Sequence, residues 1–334
     1  EANINQAVCA VRIDEGLSPH FVHAFFLTRL GQQQIDRVKR PVARANINLE
    51  EIGTLRVPKL SQKVQAAVVD TLQRAFAQKV ATEQNASSLL ASIDNLLLSE
   101  LGIPNSPESP NTLENRIFQR SFSEMSGRRF DPVANQEKRR RLEEAIHHAN
   151  CPVVSLRKLV RISKELVKVI EPSNTYIGLE NIAGDTGDYV PTNEKDSVST
   201  AGQVYQNQIL FPKLRPYLNK THLAAFDGLC STEFHIFEAV GVLPEYLTHF
   251  LRSRAIVGIT SLLMTGNTLP RLQMEDILKL PIPLPSHEKQ KKVCEEISAV
   301  RSEAHSLRAQ AQADLEQAKR DIEAMILGKE ASHD

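Results

Sequence analysis

The sequence predicts an α+β chain in which mixed α/β regions are joined by two long helices that pack on each other. Three observations carry this. The chain repeats itself at a constant offset. Each repeat ends in about forty residues of helical apolar spacing with no internal proline or glycine. The residues between the two helical stretches change to short β-branched runs broken by turns.

The duplication carries Pro19 onto Pro244, Phe21 onto Tyr246, Arg29 onto Arg254 and Leu49-Glu50-Glu51-Ile52 onto Met274-Glu275-Asp276-Ile277. Leu55, Val57 and Pro58 then fall on Leu280, Ile282 and Pro283, and Gln65 falls on Gln290. Two copies so far apart describe an internal duplication, not a short-period solenoid.

The first long helix follows Pro58, with apolar positions at Val64, Val68, Leu72, Phe76 and Val80, then Leu90, Ile93, Leu97 and Leu101. The second follows Pro285, with Val293, Ile297, Val300, Ala304, Leu307, Ala311, Leu315, Ala318, Ile322 and Met325. The second set alternates threes and fours, which is heptad spacing with one slip at Leu315. Ser61 and Ser286 are placed to cap the N-termini, and Gly102 and Gly328 to end the helices. A narrow apolar seam on each rod calls for one partner, and each rod supplies the other's.

Between the rods, Ile103-Pro104-Asn105-Ser106-Pro107-Glu108-Ser109-Pro110 reads as a linker or stiff corner. A charged helix is expected around Glu137–His148. Strand-like runs follow at Pro152-Val153-Val154, Val167–Ile170, Tyr176–Leu179, Gln208–Phe211 and Phe234–Phe237, with a turn cluster at Gly184–Asp188. Residues 244–280 return to helix and end in Leu280-Pro281-Ile282-Pro283-Leu284-Pro285.

Composition excludes several classes. Lys+Arg and Asp+Glu both number 40, so net charge gives no global pull toward nucleic acid or an anionic membrane. Hydrophobic residues make up 41% and charged residues 24%, which suits a folded chain with a sizeable core. Aromatics are 5% with no Trp, which disfavours a single-strand binder built on stacking platforms. Cys9, Cys151, Cys230 and Cys294 form no Cys-x-x-Cys pair and read as reduced thiols of a cytoplasmic protein. No apolar run approaches the length of a membrane span.

No catalytic or metal motif is present: there is no dinucleotide glycine fingerprint and no phosphate loop. His147-His148 reads as solvated surface, His20 and His23 lack further ligands nearby, and Asp185 and Asp188 read as turn formers. Charge is segregated by element instead. Lys213, Arg215 and Lys220 lie in an acid-free stretch from Tyr205 to His222, as do Arg252, Arg254 and Arg271 from Arg252 to Arg271. Arg29, Arg37, Lys39, Arg40 and Arg44 face only Asp36, while residues 286–334 are mildly acidic. Gln206, Asn207, Tyr217, Asn219, Thr265, Asn267, Thr268, Asn46 and Asn48 accompany the cations, and such side chains reach phosphates and base edges.

Several of these runs carry a resemblance. Tyr176–Ile182 with Thr186-Gly187, Gln208–Lys220, Cys230–Phe234, Gly266–Leu272, the Pro281–Gln290 approach to the second helix, and Val42–Asn48 in the first copy resemble type I restriction–modification specificity subunits. The resemblance covers most of residues 17–102 and 128–328. It implies target recognition domains joined by two long helices packed as an antiparallel coiled coil. The expected organisation is the end of a first recognition domain (1–60), a long helix (61–102), a Pro-rich linker (103–127), a second recognition domain (128–285), a second long helix (286–328) and a tail (329–334). The start of the second domain maps, by the repeat offset, well before Glu1, so most of the first domain is expected to lie outside this chain. Were that the natural form, self-dimerisation would restore two half-sites.

The resemblance further implies a non-catalytic chain. It would give a bipartite target on double-stranded DNA to a phage-defence complex with two adenine-methyltransferase subunits, with or without restriction subunits. No cofactor is expected on this chain; S-adenosylmethionine, and ATP with Mg for restriction, belong to the partners. Lys213, Arg215, Tyr217, Lys220, Asn267, Thr268 and Arg271 are the candidate DNA-binding residues of the second domain. Arg44, Asn46 and Asn48 are those of the first copy, with docking of a partner subunit as their competing role. Two other readings remain: the C-terminal specificity region of a fused methyltransferase–specificity enzyme, and a coiled-coil scaffold without DNA readout.

Overall fold

The computed structural model describes residues 8–13, 15–38, 47–105, 112–125, 129–168, 175–184, 186–191, 199–266 and 270–328. Proline opens the first helix: Pro19 at N1 starts α1 (Pro19–Leu27), followed by α2 (Arg29–Val38), α3 (Leu49–Gly53) and the long α4 (Gln62–Glu100). Short helices α5 (Leu113–Arg116) and α6 (Phe122–Met125) precede α7 (Glu137–His147). The β region holds β1 (Val153–Ser155), β2 (Val160–Ser163), β3 (Leu166–Val167), β4 (Tyr176–Ile177), β5 (Ala201–Val204), β6 (Ile209–Pro212), β7 (His222–Leu223), β8 (Gly228–Cys230) and β9 (Phe234–Ala239). Then come α8 (Pro244–Leu251), again with proline at N1, α9 (Arg254–Ser261), β10 (Met264–Thr265), β11 (Arg271–Leu272), α10 (Met274–Ile277), β12 (Pro281–Pro283) and the long α11 (His287–Leu327).

The chain divides into two compact units, residues 1–89 with 302–334 and residues 90–301. In the first, Phe21 and Ala24 of α1 are buried with Val68 and Leu72 of α4 and Leu315 and Ile322 of α11. Lys79 Nζ donates to Gln312 Oε1 at 2.7 Å, so rising numbers on α4 meet falling numbers on α11 and the helices run antiparallel. In the second, Leu97, Leu98 and Leu101 share a core with Val293 and Ile297, and Glu100 pairs with Lys289 and, at 3.6 Å, with Lys292. The Lys289 ammonium is the main cause holding the Glu100 carboxyl below its usual range.

The seam of α4 departs from the sequence expectation. Phe76 and Val80 are exposed, at 38% and 52%. The expected run Val64, Val68, Leu72, Phe76, Val80 advances by fours, and each step of four turns about 40° past a full rotation. The observed seam alternates instead, from Val68 and Leu72 through half-buried Ala75, Lys79 and Thr82 to buried Ala86.

In the second unit, β2, β9, β6 and β7 form one four-stranded antiparallel sheet, and β3, β5, β8 and β4 form another with a parallel β4–β8 pair. Two-stranded pairs β1–β12 and β10–β11 complete the β structure. The period-2 alternation of strands sets the layers. Ile209 and Phe211 of β6 enter the helical core with Phe237, Tyr246 and Phe250, while Leu210 turns the other way to meet Ile177, Val204, Cys230 and Ile236. β12 is buried throughout and pairs with β1, and the Tyr246 hydroxyl donates to the Pro283 carbonyl at 2.9 Å.

Candidate nucleic-acid interface

The candidate site lies in the second unit, at the end of β6 where the chain leaves the sheet. There Lys213 N–H donates to the Glu233 carbonyl at 2.8 Å, Lys213 Nζ donates to the Thr232 carbonyl at 2.5 Å, and the Lys213 carbonyl accepts from Leu272 N–H at 2.9 Å. The next residues bridge across to β11 through Leu214 and Arg271. The Arg271 guanidinium forks onto Glu233, at 2.8 Å and 3.2 Å. That contact pushes the Glu233 carboxyl down and the guanidinium up from their ordinary values. Arg271 therefore contributes a half-neutralised, oriented fork, whereas the Lys213 ammonium bonds the Thr232 carbonyl and acts on Glu233 through space.

Beyond Leu214 the chain makes a tight tip. Arg215 (φ 47°) and Asn219 (φ 50°) are left-handed and bracket a 3-10 turn, Pro216–Leu218. Side chains with a Cβ hold that conformation only where the surroundings fix it. Arg215 is exposed, and Tyr217 presents 53% of its surface. Lys220 is half-buried and donates to the Leu179 carbonyl at 2.7 Å.

Beside this edge lies a cavity of about 420 Å³, lined in part by Lys164, Lys213, Ser231, Thr232, Phe234 and His235. Burial, and then the Lys213 ammonium, push the His235 imidazole down to about 4, so it stays neutral near pH 7. Its ring stacks on Phe237 at 6.2 Å between centroids. Lys164 is exposed at the end of β2. Sequence reasoning missed Lys164, Thr232 and His235: each is an ordinary residue locally, and only the sheet brings them to Lys213.

Other candidates land elsewhere. Asn267, Thr268, Arg44 and Asn46 lie outside the described residues. Asn48 belongs to the first unit, where it caps α3: its Oδ1 accepts from Glu51 N–H at 2.8 Å and its N–H donates to the Glu51 carboxylate at 2.8 Å. The acid-free stretch from Arg252 to Arg271 is not free of acid in space. Arg254 pairs with Asp94 at 2.7 Å, and Arg271 with Glu233. Gln206 and Asn207 turn the chain at the opposite end of β6 from Lys213. Among the described residues there is no His, Cys, Asp or Glu cluster able to hold a metal, and no helix long and apolar enough to cross a membrane.

No protein-family model matches the sequence. A stretch of 132 residues, 40% of this chain, is 24% identical to the type I restriction enzyme EcoDI specificity subunit of Escherichia coli. Over this stretch the chain is similar to a type I specificity subunit. The match spans about 30% of the length of that relative. A solved chain from the work on complex assembly and conformational transition of the type I R-M system shares the fold. It has a TM-score of 0.52 and 11% identity, and the match covers 92% of this chain and 70% of that one. The HsdS subunit from Thermoanaerobacter tengcongensis matches over 93% of this chain and 70% of its own, with 12% identity and a TM-score of 0.43. Of the runs that carry the resemblance in the sequence, Tyr176–Ile182, Gln208–Lys220 and Cys230–Phe234 fall on the two four-stranded sheets of the second unit and the turns that follow their strands.

Proposed function

We propose that this chain is a DNA sequence-specificity subunit of a type I restriction–modification complex and performs no chemistry itself. The observation that carries this reading is that Lys164 and Lys213 line one cavity at the end of the β2–β9–β6–β7 sheet, with Arg215 and Tyr217 exposed on the turn that follows Lys213, in a chain similar to a specificity subunit. The two lysines and Arg215 anchor phosphates, and the planar Arg271 guanidinium, oriented by its Nε and Nη2 bonds to Glu233, offers its remaining N–H groups to a base edge or phosphate. Tyr217 supplies an apolar face with a hydroxyl. Two adenine-methyltransferase subunits, holding S-adenosylmethionine, carry the chemistry. The long helices, about 60 Å each, set the separation between half-sites.

The test is DNA binding by the chain co-purified with its methyltransferase subunits, using a duplex whose site has been read from the methylome of cells carrying the system. Arg215→Ala with Lys164→Ala is expected to weaken binding to specific and unrelated duplex alike and to reduce the salt slope by about one per lost phosphate contact. Unchanged affinity and slope would overturn the placement.

A further inference from the structure

The tip that carries Arg215, Tyr217 and Lys220 is held from behind by Arg252, and the turn packed against it is held by Arg301. Arg252, the C-cap of α8, donates from one guanidinium nitrogen to the Asn219 carbonyl at 3.0 Å and the Thr221 carbonyl at 2.7 Å. Asn219 Nδ2 donates back to the Arg252 carbonyl at 2.9 Å. Arg301, on α11, donates to the Thr186 carbonyl at 2.9 Å and pairs with the Asp188 carboxylate. The two clasps meet at Gly187, whose carbonyl accepts from His222 Nδ1 at 2.8 Å. Burial lowers the His222 pKa, which keeps one ring nitrogen unprotonated while Nδ1–H serves the carbonyl.

The packing there admits no extra atom. Gly187 has φ of +70°, and a Cβ on it would lie 2.1 Å from Arg252 Nη1 and 2.6 Å from the Thr221 carbonyl. The chain from 186 to 188 is therefore wedged against both arginines. The left-handed Arg215 and Asn219 need such support, since a residue with a Cβ keeps that conformation only where the surroundings over-determine it. The carbonyl and the side-chain N–H of Asn219 both bond Arg252, so this arginine fixes one end of the tip. Arg301 ties the neighbouring turn to a residue of the long helix.

We infer that Arg252 and Arg301 are positioning residues: they hold the Arg215–Lys220 tip in its DNA-reading geometry and link it to α11, without touching DNA. The inference rests on the proposed function. It predicts a signature that neither a direct DNA contact nor a purely architectural arginine would give. Removing a phosphate contact lowers the salt slope. Loosening the tip removes none of the charges of Arg215, Lys213 and Lys164, which still reach phosphates on any duplex, so the slope holds while binding to the specific site falls.

The test uses the chain in complex with its methyltransferase subunits. Arg252→Met, Arg252→Lys, Arg301→Met and Asp188→Asn are measured against the specific duplex and an unrelated duplex from 50 to 200 mM salt, with thermal unfolding followed in parallel. For the two methionine variants and for Asp188→Asn, the expected result is about tenfold weaker specific binding, an unchanged salt slope, and less than threefold change on unrelated duplex. Arg252→Lys, which keeps one donor, is expected to recover part of the loss. A slope lowered by about one, or full affinity in a variant that still assembles, overturns the inference. If a methionine variant fails to assemble, Asp188→Asn decides: it leaves both arginines and the fold's apolar core intact, and full specific affinity in it overturns the Arg301 link. Arg215→Ala in parallel separates the two levels. If it changes nothing, the DNA face is misplaced; if it weakens binding while Arg252→Met does not, only the positioning role falls.

Discussion

Gln65 and Gln290 make the same two hydrogen bonds in the two units. Gln290 Oε1 accepts from Leu243 N–H at 2.9 Å while its Nε2 donates to the Pro285 carbonyl at 2.9 Å. Gln65 Oε1 accepts from Ser18 N–H at 2.8 Å and its Nε2 donates to the Leu60 carbonyl at 2.9 Å. They are 1% and 2% exposed. Each amide stitches the residue before a proline-led helix to the residue before a serine-capped long helix, so the duplication preserved a joint as well as a pattern.

A leucine at either position would fill the volume and leave a buried N–H and a buried carbonyl unpaired, at about 1–3 kcal/mol apiece. Gln290→Leu and Gln65→Leu are each expected to lower the urea midpoint. Because the two joints share no partner, the double variant is expected to show the sum of the two losses. A double variant no less stable than either single one would contradict two independent joints.

The joint also shows what could be read from the sequence. Gln65 and Gln290 appeared as aligned residues, and the capping serines and terminal glycines were visible as types at helix ends, because these features depend on residues a few positions apart. Ser61 Oγ accepts from Val64 N–H at 3.4 Å, and Ser286 Oγ from Lys289 N–H at 3.3 Å. The candidate site was half legible. Lys213, Arg215 and Tyr217 stand out in a local acid-free run, but the acids that engage Arg254 and Arg271 are supplied by Asp94 and Glu233 from other elements. Lys164 joins Lys213 only through the pairing of β2, β9 and β6. The exposure of Phe76 follows from a drift of the seam that a run of fours conceals.

The drift makes a direct prediction. Leu72 is 4% exposed in the first unit's core, whereas Phe76 is 38% exposed one turn later on the same helix. Leu72→Ala is expected to cost about 2–5 kcal/mol. Phe76→Ala is expected to change stability by no more than about 0.5 kcal/mol. Denaturant titration of the two variants checks this, and a large loss at Phe76 would place it back in the seam.

The helix ends offer a second contrast. Gly102 and Gly328 both have φ of 68°, but a Cβ on Gly102 would meet the Asn150 side-chain amide at 2.1 Å, while one on Gly328 would meet nothing within 4 Å among the described residues. Ile103 N–H also donates to the Leu98 carbonyl at 2.8 Å, closing the helix end around Gly102. Gly328→Ala pays only for the left-handed backbone, about 1 kcal/mol. Gly102→Ala must displace Asn150 as well, whose N–H donates to the Leu101 carbonyl at 2.9 Å. Thermal unfolding is expected to show the larger drop for Gly102→Ala, and equal drops would mean that Asn150 yields freely.

His235 gives the pH dependence of the second unit a sign. Its folded pKa, about 4, lies below the ordinary value of 6.5, first because it is buried and then because Lys213 is near. The unfolded chain therefore takes up a proton that the folded chain refuses. The stabilising contribution is complete well above pH 6.5 and is lost progressively as pH falls through 6.5 toward 4, to a total of about 3 kcal/mol. His249, pushed down to about 3 by burial and then by Arg301 and Arg252, adds to the loss in the same direction and continues it below pH 4. Replacing His235 with Gln removes one of these protons. Its urea midpoint is expected to fall less steeply than that of the parent chain between pH 6.5 and 4, with the two curves parallel above pH 7. Parallel curves throughout would mean that His235 titrates in the folded protein as it does in the unfolded chain.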